Sequence, residues 1–281
     1  MMDSVSSVPV ATPDGNGIEV GSGQPLLLIA GPCALESEEL ARRVAGEMQE
    51  ICARLGLSYV FKASFDKANR TSLDSYRGPG LEEGLSILSR IREKMQVPVI
   101  SDIHESSQVA PAAEVLDILQ IPAFLCRQTD LLVAAARTNK PINLKKGQFV
   151  SPWDMENGVN KIRGAGGNKI MLVERGASFG YNNLVVDMRS LPVMRGFNCP
   201  VIYDATHSVQ LPGGAGGSSG GQREFIAPLS RAAVAAGIDG LFMEVHPDPD
   251  KALCDGPNSI ALDRIEELLV QLVRIREAVS V

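Results

Sequence analysis

The chain has 281 residues, 44% of them hydrophobic, and a formal net charge of −6. A sequence of this length and hydrophobic content can bury a large core, as one α/β barrel or as two smaller domains. The acidic balance argues against nucleic acid and anionic membranes as partners. No apolar run approaches the roughly 18 residues of a membrane helix. The N-terminus also lacks the basic segment and the apolar segment of a secretory signal, so we expect a cytoplasmic protein.

The five cysteines are odd in number and irregularly spaced. They are Cys33, Cys52, Cys126, Cys199 and Cys254. No pair has the spacing of a CxxC motif, so the pattern favours reduced thiols over a disulfide framework.

The first 22 residues are polar and rich in serine, glycine and proline, which predicts a flexible N-terminal arm with at most one short strand at 17–20. From residue 25 onward, apolar runs alternate with segments of helical periodicity. The pairs of predicted strand and helix are 26–30 with 37–55, 59–63 with 81–95, 97–103 with 106–116, 117–123 with 129–138, 142–145 with 153–163, 169–173 with 187–197, 200–203 with 224–236, and 240–245 with 262–279. Ser37 is a plausible N-cap of the first helix.

Eight strand–helix units without a change of composition predict a single (β/α)8 TIM barrel over residues 23–281, preceded by the short N-terminal extension. An open, doubly wound sheet is the alternative. It is disfavoured because Gly31-Pro32-Cys33-Ala34 follows the first strand, where a Gly-x-Gly-x-x-Gly turn would be expected.

Barrel enzymes place their chemistry at the C-terminal ends of the strands. The polar residues at the predicted ends are Cys33, Lys62, Ser64, Asp102, His104, Arg127, Lys145, Lys146, Glu174, Arg175, Asp204, His207, Glu244 and His246. All three histidines of the chain are in this set. Packing alone does not explain such a concentration, so we expect the functional site at this end.

Cations are concentrated at three of these strand ends and in the loop after the second strand. The residues concerned are Lys62, Lys67, Lys145 and Arg175, with Gln148 close in sequence. Converging lysine and arginine side chains predict a site for phosphate and carboxylate groups. Two alternatives remain open: a lattice of salt bridges with neighbouring acidic residues, and a lysine that forms a Schiff base with a carbonyl substrate.

A second set of residues suits a divalent metal. Cys33, His207 and Glu244 follow strands one, seven and eight, which are neighbours in a closed barrel, and Asp255 lies in the loop after strand eight. One thiolate, one imidazole and two carboxylates can bind Zn²⁺, Fe²⁺ or Mn²⁺. In the alternative interpretation, Cys33 is a small packing residue and Glu244 pairs with Lys62.

Residues 208–223 are rich in glycine but lack the Gly-Lys-Ser/Thr continuation of a phosphate-binding loop. A long flexible segment at the catalytic end of a barrel predicts a mobile lid. The alternative is a loop without a function.

Four segments resemble the 3-deoxy-D-manno-octulosonate 8-phosphate (KDO 8-phosphate) synthases: residues 62–70, 77–80, 122–131 and 242–249. The resemblance extends from about residue 26 to residue 274. It implies a transferase of KDO and lipopolysaccharide biosynthesis that condenses phosphoenolpyruvate with D-arabinose 5-phosphate and water and releases phosphate. It also implies a homotetramer of barrels.

The resemblance further implies roles for individual residues. Phosphoenolpyruvate would be held by Lys67, Lys145, Gln148 and Arg175, with Lys62 beside them; arabinose 5-phosphate would be held by Ser64, Asn69 and Arg70, with Asp102 at the sugar and Arg70 reaching into a neighbouring subunit's site. In this family, C3 of phosphoenolpyruvate attacks the aldehyde, water adds at C2, and phosphate leaves by C–O cleavage. No covalent enzyme intermediate is implied, which disfavours the Schiff base.

The family resembled here has a metal-dependent branch with cysteine at the place of Cys33 and a metal-independent branch with asparagine there. Cys33, His207, Glu244 and Asp255 resemble the complete metal set, whose implied work is to orient the aldehyde or a water by Lewis acidity. The run Cys254-Asp255-Gly256 instead resembles the metal-independent branch. The expected catalytic residues are Cys33, Lys67, Asp102, His207 and Asp255.

Two other functions remain to be separated from this one. A related synthase of aromatic biosynthesis joins phosphoenolpyruvate to erythrose 4-phosphate and shares the barrel and a Gly-Pro-Cys turn. Asn69, within the run Lys-Ala-Asn-Arg-Thr-Ser, favours the KDO enzyme, because the aromatic enzyme tends to have Lys-Pro-Arg-Thr. A barrel that binds a sugar phosphate without catalysis is the alternative from a different class.

Overall fold

Eight parallel strands form a closed barrel in the computed structural model, which describes residues 4–214 and 219–279. The barrel strands are β1 (Leu27–Gly31), β2 (Ser58–Lys62), β3 (Val99–Asp102), β4 (Ile118–Ile121), β5 (Ile142–Lys145), β6 (Ile170–Glu174), β7 (Val201–Asp204) and β8 (Gly240–His246). Strand β8 pairs in parallel with both β7 and β1. The sheet therefore closes, and the predicted barrel is confirmed over the open sheet.

A helix follows each strand and packs outside the barrel. The helices are α1 (Glu38–Leu55), α2 (Leu81–Met95), α3 (Ser106–Val115), α4 (Thr129–Arg137), α5 (Met155–Gly164), α6 (Ser190–Arg195), α7 (Ile226–Ala236) and α8 (Ile265–Val279). Ser37 caps α1 as predicted, since its hydroxyl accepts a hydrogen bond from the Leu40 N–H at 3.1 Å. No helix among the described residues is long and apolar enough to cross a membrane.

The core has two layers, because alternate residues of each strand point to opposite sides. Side chains such as Ile29, Val60 and Phe242 fill the barrel interior. Side chains such as Leu28, Leu144 and Leu172 pack between the strands and the helices. Strands buried on both sides read as near-continuous apolar runs, which is why the sequence identified them so clearly.

The N-terminal segment differs from the flexible arm expected for residues 1–22. Val8–Val10 and Ile18–Val20 form an antiparallel hairpin, which includes the one short strand that was predicted. Val8, Val10 and Val20 are buried in the same cluster as the barrel interior. Alternating valines give the hairpin one apolar face, and this face covers the interior of the barrel.

We expect Val20→Ala to lower the free energy of unfolding by about 2 kcal/mol, because it removes buried methyl groups and leaves a cavity. Glu19→Ala is the matched control: Glu19 is the neighbouring strand residue and is exposed, so its effect should stay within about 0.5 kcal/mol. Chemical denaturation of both variants measures the difference. Equal stability of the two variants would show that the hairpin does not share the barrel core.

The described parts of the predicted lid, residues 208–214 and 219–223, contribute Gln210, Pro212, Gly213 and Ser219 to the pocket at the C-terminal end of the barrel. Gln210–Leu211 pairs with Gly220–Gly221 in a two-stranded antiparallel ribbon. Residues 215–218 lie outside the described residues, and the lid stays a prediction.

Candidate active site

A pocket of about 220 Å³ opens at the C-terminal ends of the barrel strands, and most of the predicted site residues line it. The lining includes Lys62, Lys67, Asn69, Arg70, Asp102, Lys145, Gln148, Arg175, His207 and Asp255. The remaining predicted residues lie directly behind this lining. Ser64 donates a hydrogen bond to Asp102 at 2.6 Å, Glu244 lies 3.3 Å from the His207 imidazole, and Cys33 lies 3.6 Å from Asp255.

Basic side chains form the floor of the pocket. Lys62 and Lys145 are the last residues of β2 and β5, and both are buried. The Nζ atom of Lys145 lies 2.6 Å from the Asp204 carboxylate and 3.6 Å from the centre of the Phe242 ring. Burial lowers the pKa of Lys145, and the charge of Asp204 offsets only part of this effect.

The alternative of a lattice of salt bridges is partly correct for the basic side chains at the floor of the pocket. Lys62 and Lys67 both approach Glu244, with Nζ–Oε1 distances of 3.4 and 3.7 Å. Arg175 is different: its Nη2 donates to the Gln210 side-chain oxygen at 3.1 Å, and its Nη1 is buried without a hydrogen-bond partner. Within the described residues Arg175 forms no salt bridge, so its charge is available to an anionic ligand.

Lys67 lies between two acidic residues at the pocket wall. Burial opposes its charged form, but neighbouring negative charge, including that of Glu244, raises the pKa of Lys67 well above its ordinary value. The Asp102 carboxylate lies 4.0 Å from the Lys67 Nζ. Burial would raise the pKa of Asp102, but Lys62 and Lys67 lower it overall. We conclude that the cation and the carboxylate stabilise each other in their charged forms.

A cluster of side chains of the types that can bind a metal lies beside this floor. The His207 Nε2 is 3.3 Å from Glu244 Oε1 and 3.8 Å from Asp255 Oδ2. The Cys33 Sγ is 3.6 Å from Asp255 Oδ2 and 2.7 Å from the Cys254 Sγ. Asp255 therefore belongs to two groupings able to hold an ion, one with His207 and Glu244 and one with both cysteines.

These donors fit a divalent metal. Glu244 Oε2 is buried and has no hydrogen-bond partner in the part of the chain that the structure describes. The His207 Nδ1 lies 2.8 Å from Asp204, a carboxylate contact typical of metal-bound histidines. Burial would raise the pKa of Glu244, but nearby charges, that of His207 first, lower it to about 2. Glu244 thus contacts both Lys62 and His207: its pairing with Lys62 is observed, and its role as a metal ligand stays a prediction.

The backbone before Cys33 is tightly constrained. A Cβ atom added to Gly31 would lie 2.0 Å from the Lys62 carbonyl oxygen, so only glycine fits where β1 ends beside β2. Burial raises the pKa of the Cys33 thiol well above its ordinary value.

Comparison with known proteins places the whole arrangement in one family. Residues 7–280 match the model of the DAHP synthetase I family. The chain belongs to this family. It is 77% identical over 279 residues to the 2-dehydro-3-deoxyphosphooctonate aldolase of Desulfotalea psychrophila, covering 99% of this chain and 100% of that protein.

Two further relatives carry the same name. The 2-dehydro-3-deoxyphosphooctonate aldolase of Geobacter sp. strain M21 is 63% identical over 264 residues, covering 94% of this chain and 97% of that protein. That of Trichlorobacter lovleyi is 64% identical over 255 residues, covering 91% and 94%. Since 2-dehydro-3-deoxyphosphooctonate is another chemical name for KDO 8-phosphate, the resemblance to KDO 8-phosphate synthases is confirmed, and the aromatic alternative is not favoured.

The sequence did not predict two buried residues that support Asp102 by hydrogen bonds. Gln120 donates a hydrogen bond to Asp102, and Asn143 donates to the Gln120 side-chain oxygen at 2.9 Å. Both are buried polar residues inside strands β4 and β5. A glutamine and an asparagine within apolar strand runs are the signal that could have identified them, because a buried amide requires hydrogen-bond partners.

Arg70 lies over the metal-binding cluster of its own chain. Its Nη1 is 2.8 Å from the Cys254 Sγ and 3.8 Å from Asp255 Oδ1. The loop that carries it is closed at its base by a salt bridge of 2.6 Å between Arg77 and Asp66. This closure directs Lys67, Asn69 and Arg70 toward the pocket.

Proposed function

We propose that this chain condenses phosphoenolpyruvate with D-arabinose 5-phosphate and water, giving KDO 8-phosphate and inorganic phosphate. The observation that carries this proposal is the buried, cation-lined pocket at the strand ends, in which Arg175 keeps an unpartnered N–H group. Both substrates carry phosphate, and phosphoenolpyruvate also carries a carboxylate. Relatives up to 77% identical bear the name of this product.

Phosphoenolpyruvate occupies the basic floor in this proposal. Its phosphate and carboxylate are bound by Lys67, Lys145, Gln148 and Arg175, with Lys62 beside them. Arginine suits this task because its planar group binds two oxygens of one anion. Lys145 and Arg175 lie at the ends of β5 and β6, and their fixed positions hold phosphoenolpyruvate in one orientation, so that C3 faces the sugar.

Arabinose 5-phosphate occupies the side of the pocket formed by the loop after β2. Asn69 binds its phosphate, Arg70 reaches toward the same group in a neighbouring subunit's site, and Asp102 accepts hydrogen bonds from its hydroxyl groups. Ser64 and Gln120 both donate to Asp102, which fixes the orientation of the carboxylate. The aldehyde then points toward the floor and toward C3 of phosphoenolpyruvate.

The reaction forms one carbon–carbon bond and one carbon–oxygen bond and breaks one carbon–oxygen bond. C3 of phosphoenolpyruvate bonds to the aldehyde carbon, and water supplies the hydroxyl group that bonds to C2. One proton of the water ends on the former aldehyde oxygen, and the other leaves with the phosphate when the C2–O bond breaks. In this proposal the Lys67 ammonium also donates a hydrogen bond to the aldehyde oxygen as negative charge develops there.

A divalent ion completes the site in this proposal, held by Cys33, His207, Glu244 and Asp255. Fe²⁺, Zn²⁺ and Mn²⁺ all suit this set of sulfur, nitrogen and oxygen donors. Such an ion supplies Lewis acidity toward the aldehyde or a water. The chain's own residues hold the ligands in place: Asp204 contacts His207, and Lys62 and Lys67 contact Glu244.

Release of inorganic phosphate tests the reaction directly. We expect release from phosphoenolpyruvate with arabinose 5-phosphate, and at least about a hundredfold lower kcat/KM with erythrose 4-phosphate, because a site built for the longer sugar leaves polar groups unpaired with the shorter one. Preference for erythrose 4-phosphate would instead indicate the aromatic enzyme. Binding of arabinose 5-phosphate without release of phosphate would indicate a sugar-phosphate-binding barrel.

We also propose that the chain assembles as a homotetramer in the cytoplasm. Large aromatic side chains are exposed on the loops after β4, β5 and β6, a surface of the kind that subunits bury. They are Phe124, Phe149, Trp153, Phe179 and Tyr181.

The cysteines are free thiols, which fits a reducing compartment. The ribbon of residues 210–211 and 220–221 would act as the base of the lid.

A further inference from the structure

A buried ion pair lies directly behind the proposed phosphoenolpyruvate site. Lys146 and Glu174 are both 1% exposed, and the Lys146 Nζ lies 3.4 Å from Glu174 Oε1. Each is a chain neighbour of a basic residue of the floor, Lys145 or Arg175. The function described above assigns nothing to this pair.

Strand alternation places the pair on the outer side of the barrel. Leu144 and Leu172 point into the apolar layer between strands and helices, and Lys146 and Glu174 follow two residues later on that side. Charged groups in such a layer lose their hydration, and an apolar pair of similar size would often be equally stable. Stability alone therefore does not account for them.

The pair binds the backbone of two site segments together. The Lys146 Nζ lies 3.5, 3.4 and 3.2 Å from the carbonyl oxygens of Gly147, Val150 and Gly176. Glu174 Oε1 accepts a hydrogen bond from the Gly176 N–H at 2.6 Å. One segment carries Gln148, and the other begins at Arg175.

The two segments are joined at a second point and have little room to shift. The Ser178 N–H donates to the Gln148 carbonyl oxygen at 2.9 Å. A Cβ atom on Gly147 would lie 3.0 Å from both the Ala123 carbonyl oxygen and the Cys126 Sγ. The position of the Gln148 and Arg175 side chains thus depends on the backbone that Lys146 and Glu174 hold.

We propose that Lys146 and Glu174 are positioning residues for phosphoenolpyruvate: they fix the spacing of Gln148 and Arg175 and touch no substrate themselves. The inference rests on the proposed function, because it assigns phosphoenolpyruvate to this floor. Lysine is suited to the task, since its ammonium has three N–H donors that can satisfy several carbonyl groups at once.

Calorimetric binding of phosphoenolpyruvate to the folded enzyme, without the sugar, tests this inference. For Lys146→Met we expect Kd to rise roughly tenfold or more, because displacement of binding groups by a fraction of an ångström weakens every contact they make. In steady-state assays, KM for phosphoenolpyruvate should rise similarly, while KM for arabinose 5-phosphate changes by less than about twofold. A purely structural role would lower the melting temperature and the yield of active enzyme without changing either constant.

A matched control is a buried ion pair away from the pocket, that of Arg195 and Asp239, near the start of β8 at the opposite end of the barrel. Arg195→Met should lower the melting temperature and leave the Kd for phosphoenolpyruvate unchanged. If Lys146→Met does not fold, Glu174→Gln tests the same expectation with a smaller change. Its amide oxygen can still accept from the Gly176 N–H, which preserves the local fold, but the ion pair with Lys146 is lost, so the Kd for phosphoenolpyruvate should still rise. Variants that bind phosphoenolpyruvate as tightly as the wild type would overturn the inference. Absence of binding by the wild type would instead refute the proposed function.

Discussion

Cys33→Ala is expected to remove the bound divalent metal and to lower kcat on the order of a hundredfold or more. Replacing a residue that only supports a metal ligand already lowers metal affinity or activity by about 10 to 100-fold, and Cys33 is itself a proposed ligand. Cys33 supplies the only sulfur of the proposed ligand set and lies 3.6 Å from Asp255. The fold should persist, because the removed sulfur is a small buried group beside Cys254. Metal content per chain, kcat and the melting temperature are the three quantities to measure.

Cys52→Ala is the matched control for Cys33. Cys52 is also a buried cysteine, but it lies in helix α1, away from the pocket. Its replacement should leave metal content and kcat unchanged. Dialysis of the wild type against a strong chelator should reproduce the loss seen in Cys33→Ala, and Mn²⁺ or Fe²⁺ should restore activity only in the wild type. A fully active, metal-free Cys33→Ala enzyme would assign Cys33 to packing and the chain to the metal-independent branch.

Arg175→Lys is expected to lower kcat/KM for phosphoenolpyruvate roughly a hundredfold, about 3 kcal/mol, because truncating a buried charged contact costs about 2 to 5 kcal/mol. The substitution keeps one positive charge but loses the planar pair of donors. The buried Nη1, which has no hydrogen-bond partner among residues 4–214 and 219–279, is the group that we expect the substrate to use. Steady-state kinetics with each substrate varied in turn measure the effect.

The loss should fall mainly on KM for phosphoenolpyruvate, with little change in KM for arabinose 5-phosphate. Arg189→Met is the control: Arg189 belongs to the same connection between β6 and α6, but its side chain is 86% exposed and pairs with Asp187. It should leave both constants unchanged. An Arg175→Lys enzyme with normal kinetics would mean that Arg175 serves the fold through Gln210 and does not bind the anion.

The sequence was sufficient to predict the barrel and to predict which polar residues lie at its strand ends. Apolar runs such as residues 26–30 and 240–245, each followed by a helical pattern, are local signals, and a parallel barrel is the fold that buries eight of them on both sides. Because barrel strands present their C-terminal ends at one face, chain order alone predicted that Lys62, Lys145 and Arg175 would line one pocket. The same logic placed His207 and Glu244 together.

Only the tertiary structure decided which of these groups pair. Glu244 lies within reach of Lys62, Lys67 and His207 at once, so its pairing with Lys62 does not separate it from the side chains that could hold an ion with it. Cys254 lies against Cys33 because the loop after β8 folds back over β1. Such contacts depend on the closure of the barrel and on loop conformation, neither of which has a local sequence pattern.

The hairpin and the buried polar residues depended on the fold in the same way. The composition of residues 1–22 predicts a flexible arm, yet Val10 and Val20 are buried because the barrel interior offers them an apolar surface. Gln120 and Lys146 stand within or next to strands, but their roles follow from partners on other strands, Asp102 and Glu174. A sequence determines which side of a strand each residue faces, whereas the partner that it meets there is determined by packing between distant segments.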